Sequence, residues 1–263
     1  MQQPIQAIEI KDSWKSYDGG ASFALRGITL DVGSGEFMAL IGASGSGKTT
    51  LLKLINRLVE PTRGTVFVGG EDVSLSDPVQ LRRRIGYVFQ GIGLFPHLSV
   101  AQNIGITLSL LGWAKDAIEA RVAELLDLTR LPRELATRMP ATLSGGQSQR
   151  VGVARALAAK PRIMLMDEPF GAVDPITRDG LAKDYRRLHD ELGLTTVMVT
   201  HDVLEAVLLA DRIAVLEAGE LLECGPTQEL LAHPKRDAVR ELMDMPRRQA
   251  ERVRALTAAS SSS

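Results

Sequence analysis

This sequence has one cysteine, few aromatic residues and almost no net charge. Cys224 has no second cysteine with which to form an internal disulfide, and a single thiol suits a reducing cytosol. Aromatic residues make up 4% of the 263 residues, too few for a surface that stacks nucleic-acid bases. The formal net charge of −1 gives no overall field that would attract nucleic acid or anionic lipid. We therefore expect no nucleic-acid partner.

Long uninterrupted apolar runs are also missing from the sequence. The longest candidate, residues 197–216, is broken by His201 and by several charged residues, and no run reaches the roughly 18 residues of a membrane-spanning helix. The N-terminus has no basic segment followed by an apolar one, which would indicate export. If this protein works at a membrane, we expect other chains to cross it.

A glycine-rich loop with the pattern G-x-x-x-x-G-K-T separates an expected buried strand, residues 36–41, from an expected helix, residues 48–56. In this motif backbone N–H groups and the helix N-terminus surround phosphate oxygens. The lysine reaches the β- and γ-phosphates, and the threonine hydroxyl ligates Mg²⁺. The strand-loop-helix context therefore predicts a site for ATP and Mg²⁺. Its residues are Gly42, Ala43, Ser44, Gly45, Ser46, Gly47, Lys48 and Thr49.

A second expected strand, residues 163–166, is apolar without alternation and is followed by two acids, Asp167 and Glu168. Such a pattern is typical of a parallel strand that is covered on both faces. Asp167 is placed to hold Mg²⁺, directly or through water. Glu168 is placed to polarise the attacking water as a general base. The alternative is a pair of solvated acids at the end of a strand.

A second glycine-rich turn opens a further expected helix, residues 147–159. Ser144 is positioned to cap this helix, and Gly145 and Gly146 leave no side chain between the backbone and a ligand. The turn, which ends at Gln147, is therefore a second candidate anion site at a helix terminus. One nucleotide needs only one phosphate-binding loop. We therefore expect the second glycine-rich turn to bind another γ-phosphate, most simply that of a nucleotide held by a partner subunit.

Taken in order, these motifs resemble those of the ATP-binding-cassette (ABC) ATPases, over residues 6–235. The resemblance implies an α/β P-loop cassette with a RecA-like core, an antiparallel β lobe and a helical insert at about residues 91–145. It implies that Tyr17 stacks on adenine, that Gln90 is the Q-loop glutamine at the metal, and that Asp174 is the D-loop aspartate. It also implies that His201 contacts the γ-phosphate and that Thr50 joins the nucleotide contacts.

The resemblance is specific to the separate ATPase subunits of bacterial importers. It implies a head-to-tail dimer that sandwiches ATP, transmembrane permease subunits as partners and, indirectly, a substrate-binding protein. The chain would then lie peripherally at the cytoplasmic face of the cell membrane. Residues 54–61 and 92–97 resemble the branch that imports glycine betaine, choline and similar osmoprotectants. Amino-acid importers share the segment Leu-Phe-Pro-His, so import of an amino acid or another small solute stays open.

Two soluble classes of ABC ATPase compete with the transport hypothesis. A DNA-repair ATPase needs long heptad coiled coils between the halves of its cassette, and the sequence contains no such repeat. A translation-type protein carries two cassettes and a basic linker, whereas this sequence has one P-loop. We expect residues 236–263 to form a short helical tail, interrupted at Pro246, without a separate regulatory domain. Its serine-rich end, residues 258–263, is expected to fray.

Overall fold

Two β-sheets with different topologies form the framework of the chain. The computed structural model describes residues 6–260. One sheet has four antiparallel strands in the order β2-β1-β4-β5. Its strands are β1 (Gln6–Lys15), β2 (Leu25–Gly33), β4 (Arg63–Val68) and β5 (Glu71–Asp72). This sheet is the antiparallel lobe that the sequence predicted.

The second sheet has six strands in the order β10-β9-β3-β8-β7-β6, all parallel except β10. Every residue of the adjacent strands β3, β8 and β7 is buried, as expected for parallel strands that are covered on both faces. The strands are β3 (Phe37–Ile41), β6 (Ile85–Val88), β7 (Ile163–Asp167), β8 (Thr195–Val199), β9 (Arg212–Glu217) and β10 (Glu220–Pro226).

Helices cover both faces of the parallel sheet. Between β6 and the later strands, α3 and α4 form a helical insert that also contains two short 3₁₀ turns, Arg133–Thr137 and Pro140–Thr142. The helices are α1 (Lys48–Ile55), α2 (Pro78–Arg83), α3 (Val100–Leu110), α4 (Lys115–Leu128), α5 (Gly145–Leu157), α6 (Pro175–Leu192), α7 (Val203–Leu209), α8 (Thr227–Ala232), α9 (Asp237–Met243) and α10 (Met245–Ser260).

Alternate residues of β3 contribute to two separate hydrophobic cores. Met38 and Leu40 belong to the core beneath the antiparallel sheet and α1. Phe37, Ala39 and Ile41 point to the opposite face and join the core that also includes α3 to α7. Successive side chains of a strand point to opposite faces, so this one strand anchors both layers of the molecule. The loop that follows β3 therefore begins at a strand that is packed on both faces.

Several expectations about individual elements need correction. The helix expected over residues 147–159 begins at Gly145 and ends at Leu157, because Ser144 is its N-cap. In the sequence, a helical stripe that is expected to face the core is formed by Leu181, Tyr185, Leu188 and Leu192. On α6 this stripe is only partly buried, since Leu192, at the last position of the helix, is 44% exposed. The stripe loses its partners there because the chain turns away at Gly193, a left-handed C-cap.

The C-terminal helices α9 and α10 meet at Asp244, and Pro246 lies in the first turn of α10. Proline fits there because the first N–H groups of a helix have no intrahelical acceptor. Val239 and Met243 of α9 are buried in the same core as the helices of the insert. The tail is therefore attached to the cassette through α9.

The serine-rich end that we expected to fray is helical in part. Residues 258–260 continue α10, whereas residues 261–263 lie outside the described residues. Over residues 6–260, none of the helices has the length and apolarity needed to cross a membrane.

Candidate nucleotide-binding site

The predicted site residues come from loops at one edge of the parallel sheet. Strands β3, β8 and β7 are adjacent and parallel, so their carboxyl ends lie side by side. The loop after β3, the acids at the end of β7 and the residues after β8 therefore meet at this edge. Ligands of open α/β sheets bind at the carboxyl ends of the strands.

The loop after β3 requires glycine at specific positions. Gly42, Gly45 and Gly47 have φ values of 146°, 78° and 100°, in the region that favours glycine. A Cβ on Gly42 would lie 2.0 Å from the carbonyl oxygen of Leu216, and one on Gly47 would lie 2.5 Å from that of Ala24. The N-cap of α1 is Gly47, which has no side chain to occupy the first N–H groups of the helix. These groups are suited to an anion such as phosphate.

Lys48 is buried and folds back over this loop. Its Nζ donates hydrogen bonds to the carbonyl oxygens of Gly42 and Ala43, at 2.9 and 2.8 Å, and to Ser46 Oγ at 3.2 Å. Burial lowers the pKa of Lys48, while the charges of Glu168 and Asp167 act in the opposite direction. The ammonium group therefore lies inside the cradle, with two carboxylates near enough to influence it.

Thr49 and Asp167 provide two oxygen atoms next to the cradle. Thr49 Oγ1 donates a hydrogen bond of 3.0 Å to Asp167 Oδ1. Asp167 is buried, and this burial raises the pKa of its carboxyl group, opposed by the hydrogen bond from Thr49. A hydroxyl and a carboxylate are hard oxygen ligands of the kind that Mg²⁺ prefers. The donor set thus fits the predicted metal.

Glu168 lies at the centre of a small polar cluster. Its Oε2 accepts a hydrogen bond of 3.1 Å from Gln90 Nε2 and lies 3.5 Å from His201 Nδ1. Its φ is 45°, and its backbone N–H donates to the carbonyl of Val199 at 2.9 Å. A left-handed backbone at a glutamate is uncommon, and residues in such conformations cluster at functional sites. Gln90 and His201 therefore meet at the expected general base.

Tyr17 lies beside the first turn of α1. The residue is 64% exposed, its hydroxyl oxygen lies 3.4 Å from Thr50 Oγ1, and Lys15 Nζ lies 5.0 Å from the ring centroid. The exposed ring is available for stacking. By contrast, Trp14 packs edge-on against Phe23 with ring centroids 5.4 Å apart, so its ring is already engaged within the antiparallel lobe.

The second glycine-rich turn, residues 144–147, lies against α6 and not against the phosphate loop, residues 42–49. Ser144 Oγ accepts from the N–H of Gln147 at 3.2 Å, and Gln147 Oε1 accepts from the N–H of Ser144 at 3.0 Å, a capping box. A Cβ on Gly146 would lie 2.6 Å from Thr177 Cγ2. Gly145 approaches Val173, where a Cβ would lie 3.5 Å from a methyl carbon.

Asp174 caps α6 beside this turn and accepts a hydrogen bond of 3.0 Å from the N–H of Thr177, which lowers the pKa of its carboxyl group. Within residues 6–260, no hydrogen bond joins residues 144–147 or Asp174 to the loop of residues 42–49. The chain thus carries two separate clusters. One contains Lys48, Thr49, Asp167, Glu168, Gln90 and His201, and the other contains Ser144, Gly145, Gly146, Gln147 and Asp174.

Three residues near His201 were not predicted from the sequence: Glu205, Arg178 and Asp202. Glu205 is partly buried, and this burial raises the pKa of its carboxyl group. Arg178 Nη1 lies 3.5 Å from Asp202 Oδ2, and Arg178 Nη2 lies 3.4 Å from the carbonyl oxygen of Val173, so it links the start of α6 to the loop after His201. A signal was present for Asp202, which caps α7 through the N–H groups of the second and third residues of that helix.

The parallel sheet, the glycine loop before α1 and the acids after β7 define a P-loop nucleotide-binding fold. Comparison with protein families matches residues 25–171 to the family described as ABC transporter. The chain belongs to this family. Its fold is the ABC cassette, with a RecA-like core, an antiparallel β lobe and a helical insert.

Among characterised relatives, the chain is 49% identical over 236 residues to the glycine betaine/carnitine/choline transport ATP-binding protein OpuCA of Bacillus subtilis. That match covers 90% of this chain and 62% of the relative, so the chain spans about three-fifths of the length of OpuCA. It is 45% identical over 241 residues to the methionine import ATP-binding protein MetN of Xanthomonas oryzae pv. oryzae, covering 90% of this chain and 72% of MetN.

Among solved structures, the chain is similar to the ATP-binding cassette MJ0796, which was captured as a dimer in a post-hydrolysis state bound to ADP and Pi. The TM-score is 0.76 and the identity is 34%, over 84% of this chain and 98% of that one. The cassette therefore shares its fold with a protein that binds the products of ATP hydrolysis.

Proposed function

We propose that this protein is an ATP-hydrolysing subunit that powers a bacterial ABC importer. The observation that carries the proposal is the meeting of Glu168 with Gln90 and His201, next to the Thr49–Asp167 pair and the cradle of Lys48. A phosphate cradle, a metal ligand pair and a carboxylate with polar partners are the parts that phosphoryl transfer to water requires.

Each residue has a role in this proposal. The cradle and Lys48 bind the β- and γ-phosphates, Tyr17 stacks on adenine, and Thr50 adds a contact beside it. Thr49 and Asp167, joined by Gln90, would hold Mg²⁺, which neutralises developing charge on the phosphates when bound. Glu168 accepts a proton from the water whose oxygen bonds to the γ-phosphorus, as the bond from that phosphorus to the β–γ bridging oxygen breaks. His201 contacts the γ-phosphate.

The second cluster is proposed to act on the nucleotide of another subunit. Its residues present a capped helix start with two glycines and make no hydrogen bond to the phosphate loop of their own chain, among the residues described. A helix terminus of this kind favours an anion. A head-to-tail dimer would place Ser144 to Gln147 against the γ-phosphate held by the partner, and the dimeric state of MJ0796 supports this arrangement.

We further propose that the chain binds transmembrane permease subunits and is peripheral at the cytoplasmic face of the membrane. Phe89 and Phe95, which follow β6, are both exposed beside a groove of about 340 Å³. Leu110 of α3 lines the same groove and is exposed as well. Exposed aromatic and aliphatic side chains around a groove are typical of protein interfaces.

Osmoprotectants such as glycine betaine or choline are the proposed cargo, delivered by a substrate-binding protein to the permease. The similarity to OpuCA and the segments at residues 54–61 and 92–97 support this choice. Import of an amino acid is the second candidate, because the similarity to MetN is almost as high and the segment Leu-Phe-Pro-His does not separate the two. A soluble ABC ATPase that acts outside transport is the third.

The test is to purify the tagged chain from the membranes of its source with its bound partners, and to reconstitute the complex in vesicles. We expect ATP-dependent uptake of labelled glycine betaine or choline, with no uptake by a matched complex that carries Glu168→Gln. Uptake of labelled methionine instead would select the amino-acid importer. A chain that brings down no membrane protein would contradict the transport proposal as a whole.

A further inference from the structure

The segment that follows Gln90 adopts an unusual backbone. Gly91, Ile92 and Gly93 have φ values of 77°, 67° and 56°, so three successive residues are left-handed. Two of them are glycine, for which this costs little, but Ile92 is β-branched and disfavours the conformation strongly. The backbone hydrogen bonds within this turn are short-range, from Ile92 N to Phe89 O and from Gly93 N to Gly91 O. Contacts from outside the turn must therefore hold it.

Arg155, on the helix that the second glycine-rich turn opens, provides that support. Its Nη1 donates to the carbonyl oxygen of Gly93 at 2.7 Å, and its Nη2 donates to that of Ile92 at 2.8 Å. Gly152, one turn earlier on α5, leaves room for the isoleucine, because a Cβ there would lie 3.0 Å from Ile92 Cγ2. The guanidinium of Arg155 and the absence of a side chain at Gly152 together allow the left-handed turn to pack against α5.

No carboxylate accounts for the position of Arg155. Throughout the described part of the chain, 6–260, its guanidinium forms no ion pair with an acid. The guanidinium carbon lies 5.8 Å from the centroid of the Phe95 ring. Burial lowers the pKa of this guanidinium, and no acid offsets that effect. A partly buried arginine that donates two hydrogen bonds to the carbonyls of one strained turn can fix the geometry of that turn.

Downstream, the same segment is anchored to the helical insert. Asn103 of α3 is buried, accepts from the N–H of Phe95 at 2.8 Å, and donates to the carbonyl of Leu98 at 2.9 Å. The segment that follows Gln90 is thus held by α5 and α3, and the side chain of Gln90 contacts Glu168 at the end of β7. A shift of α5 would move the carbonyls that Arg155 holds, and with them the amide of Gln90.

We propose that Arg155 is a positioning residue that couples helix α5 to Gln90, and through Gln90 to Glu168. The inference rests on the proposed ATPase function, which gives Gln90 and Glu168 their roles. Arg155 itself touches no reacting atom. It holds the turn of residues 91–93 left-handed, so that the cluster at the start of α5 and the polar cluster around Glu168 move together.

The first test does not depend on activity: hydrogen exchange of the peptide covering residues 89–98 in the nucleotide-free protein. Arg155→Ala should speed exchange there by about fivefold or more, because the turn loses its support. Arg121→Ala is the matched control, since Arg121 also donates to two carbonyls, those of Ala158 and Leu157 at the C-terminal end of α5, and neither belongs to the turn of residues 91–93. Exchange that is unchanged in Arg155→Ala, or equally fast in Arg121→Ala, would overturn the proposal.

The second test is a double-mutant cycle on turnover. Arg155→Ala should lower kcat on the order of tenfold, because misplacing a group near the reacting atoms is costly. In a Gln90→Ala background it should lower kcat by less than about twofold, because its route to Glu168 is already lost. Equal losses in both backgrounds would show a general structural role and reject the coupling. Arg155→Lys keeps the positive charge but loses the planar fork of donors, so its kcat should lie between those of the wild type and Arg155→Ala. If Arg155→Ala fails to fold, Arg155→Lys takes its place in the cycle.

The two tests separate this proposal from the proposed function. A wild-type protein that binds no ATP and shows no turnover would end the ATPase assignment, while the exchange of residues 89–98 would still decide whether Arg155 holds the turn. Normal turnover with Arg155→Ala, together with unchanged exchange, would leave the ATPase assignment intact and remove the role of Arg155.

Discussion

Thr49 and Asp167 are 118 positions apart in the sequence, yet the hydroxyl of one donates a 3.0 Å hydrogen bond to the carboxylate of the other. The pair exists because β3 and β7 flank β8 in the same parallel sheet, so the residues after them emerge at one edge. Burial raises the pKa of Asp167 in the folded chain. The carboxylate is therefore held in a place where its own charge is unfavourable without a cation.

Asp167→Asn should for this reason stabilise the nucleotide-free protein. The folded pKa lies above the unfolded one, so the ionised carboxylate destabilises the fold at neutral pH, and this penalty disappears as the pH falls below the unfolded value. We expect the melting temperature at pH 7 to rise by about 2–4 °C, which corresponds to about 1 kcal/mol. The difference should shrink as the pH falls and vanish at about pH 3, where the carboxyl group is protonated in both the folded and the unfolded state.

The matched control for this variant is Asp179→Asn, an exposed carboxylate that is paired with Lys183 on α6. Its melting temperature should stay close to that of the wild type. The variant Asp167→Asn should also lose the extra stabilisation that Mg²⁺ adds to ATP binding. A lower melting temperature of Asp167→Asn at pH 7 would contradict the claim that the Asp167 carboxylate destabilises the protein when no cation is bound.

Tyr17→Ala should weaken nucleotide binding by about 1–3 kcal/mol, since the exposed ring is proposed to stack on the base. Tyr17→Phe is the control: it keeps the ring and removes only the contact of the hydroxyl with Thr50, so affinity should change by about twofold at most. Stacking tolerates any base, so GTP should bind as well. Titration calorimetry measures both variants, and an unchanged affinity in Tyr17→Ala would move the adenine contact elsewhere.

Mixing two inactive variants tests whether the second glycine-rich turn acts across a dimer. Lys48→Ala removes the cradle lysine, and Ser144→Arg blocks the capped start of α5. A mixed dimer would hold one intact site, with Lys48 from one chain and Ser144 from the other. We expect ATPase activity to return on mixing, up to about a quarter of the wild-type value for random assortment if the two sites act independently.

The complementation is read against the two parents alone, each of which should be inactive. Mixed dimers are verified by pulling one tagged variant down with the other. If Ser144 serves the nucleotide of its own chain, no mixed dimer contains an intact site, and activity stays at the parental level. That result in verified mixed dimers would contradict the head-to-tail arrangement.

The sequence was informative where function depends on local backbone chemistry. Gly42 and Gly47 must be glycine for steric reasons, and Ser144 and Gln147 form their capping box within four residues, so both motifs could be predicted with their geometry. The exposure of Leu192 at the end of the α6 stripe could not be predicted, because the burial of this side chain depends on where the neighbouring elements stop. Apolar spacing predicts which face of a helix is buried, but it does not predict how many turns of that face other elements cover.

The turn after Gln90 shows a second limit of prediction from sequence. Local preference argues against a left-handed Ile92, and its support comes from Arg155, 63 positions later. Long-range bonds from an arginine to backbone carbonyls leave no pattern in the sequence, because a carbonyl belongs to every residue. The contact between Gln90 and Glu168 has the same origin in tertiary structure, although the acids after the apolar strand indicated Glu168 and the resemblance to a family indicated Gln90.

The most direct measurement is phosphate release by Glu168→Gln together with the mass of the protein in the presence of ATP. The variant keeps the size of the side chain and loses its ability to accept a proton, so turnover should fall on the order of 10²-fold or more while ATP still binds. The protein should then accumulate as an ATP-bound dimer. Glu191→Gln, an exposed acid paired with Arg187 on α6, should hydrolyse ATP normally. Turnover close to the wild type in Glu168→Gln would contradict the assignment of Glu168 as the base.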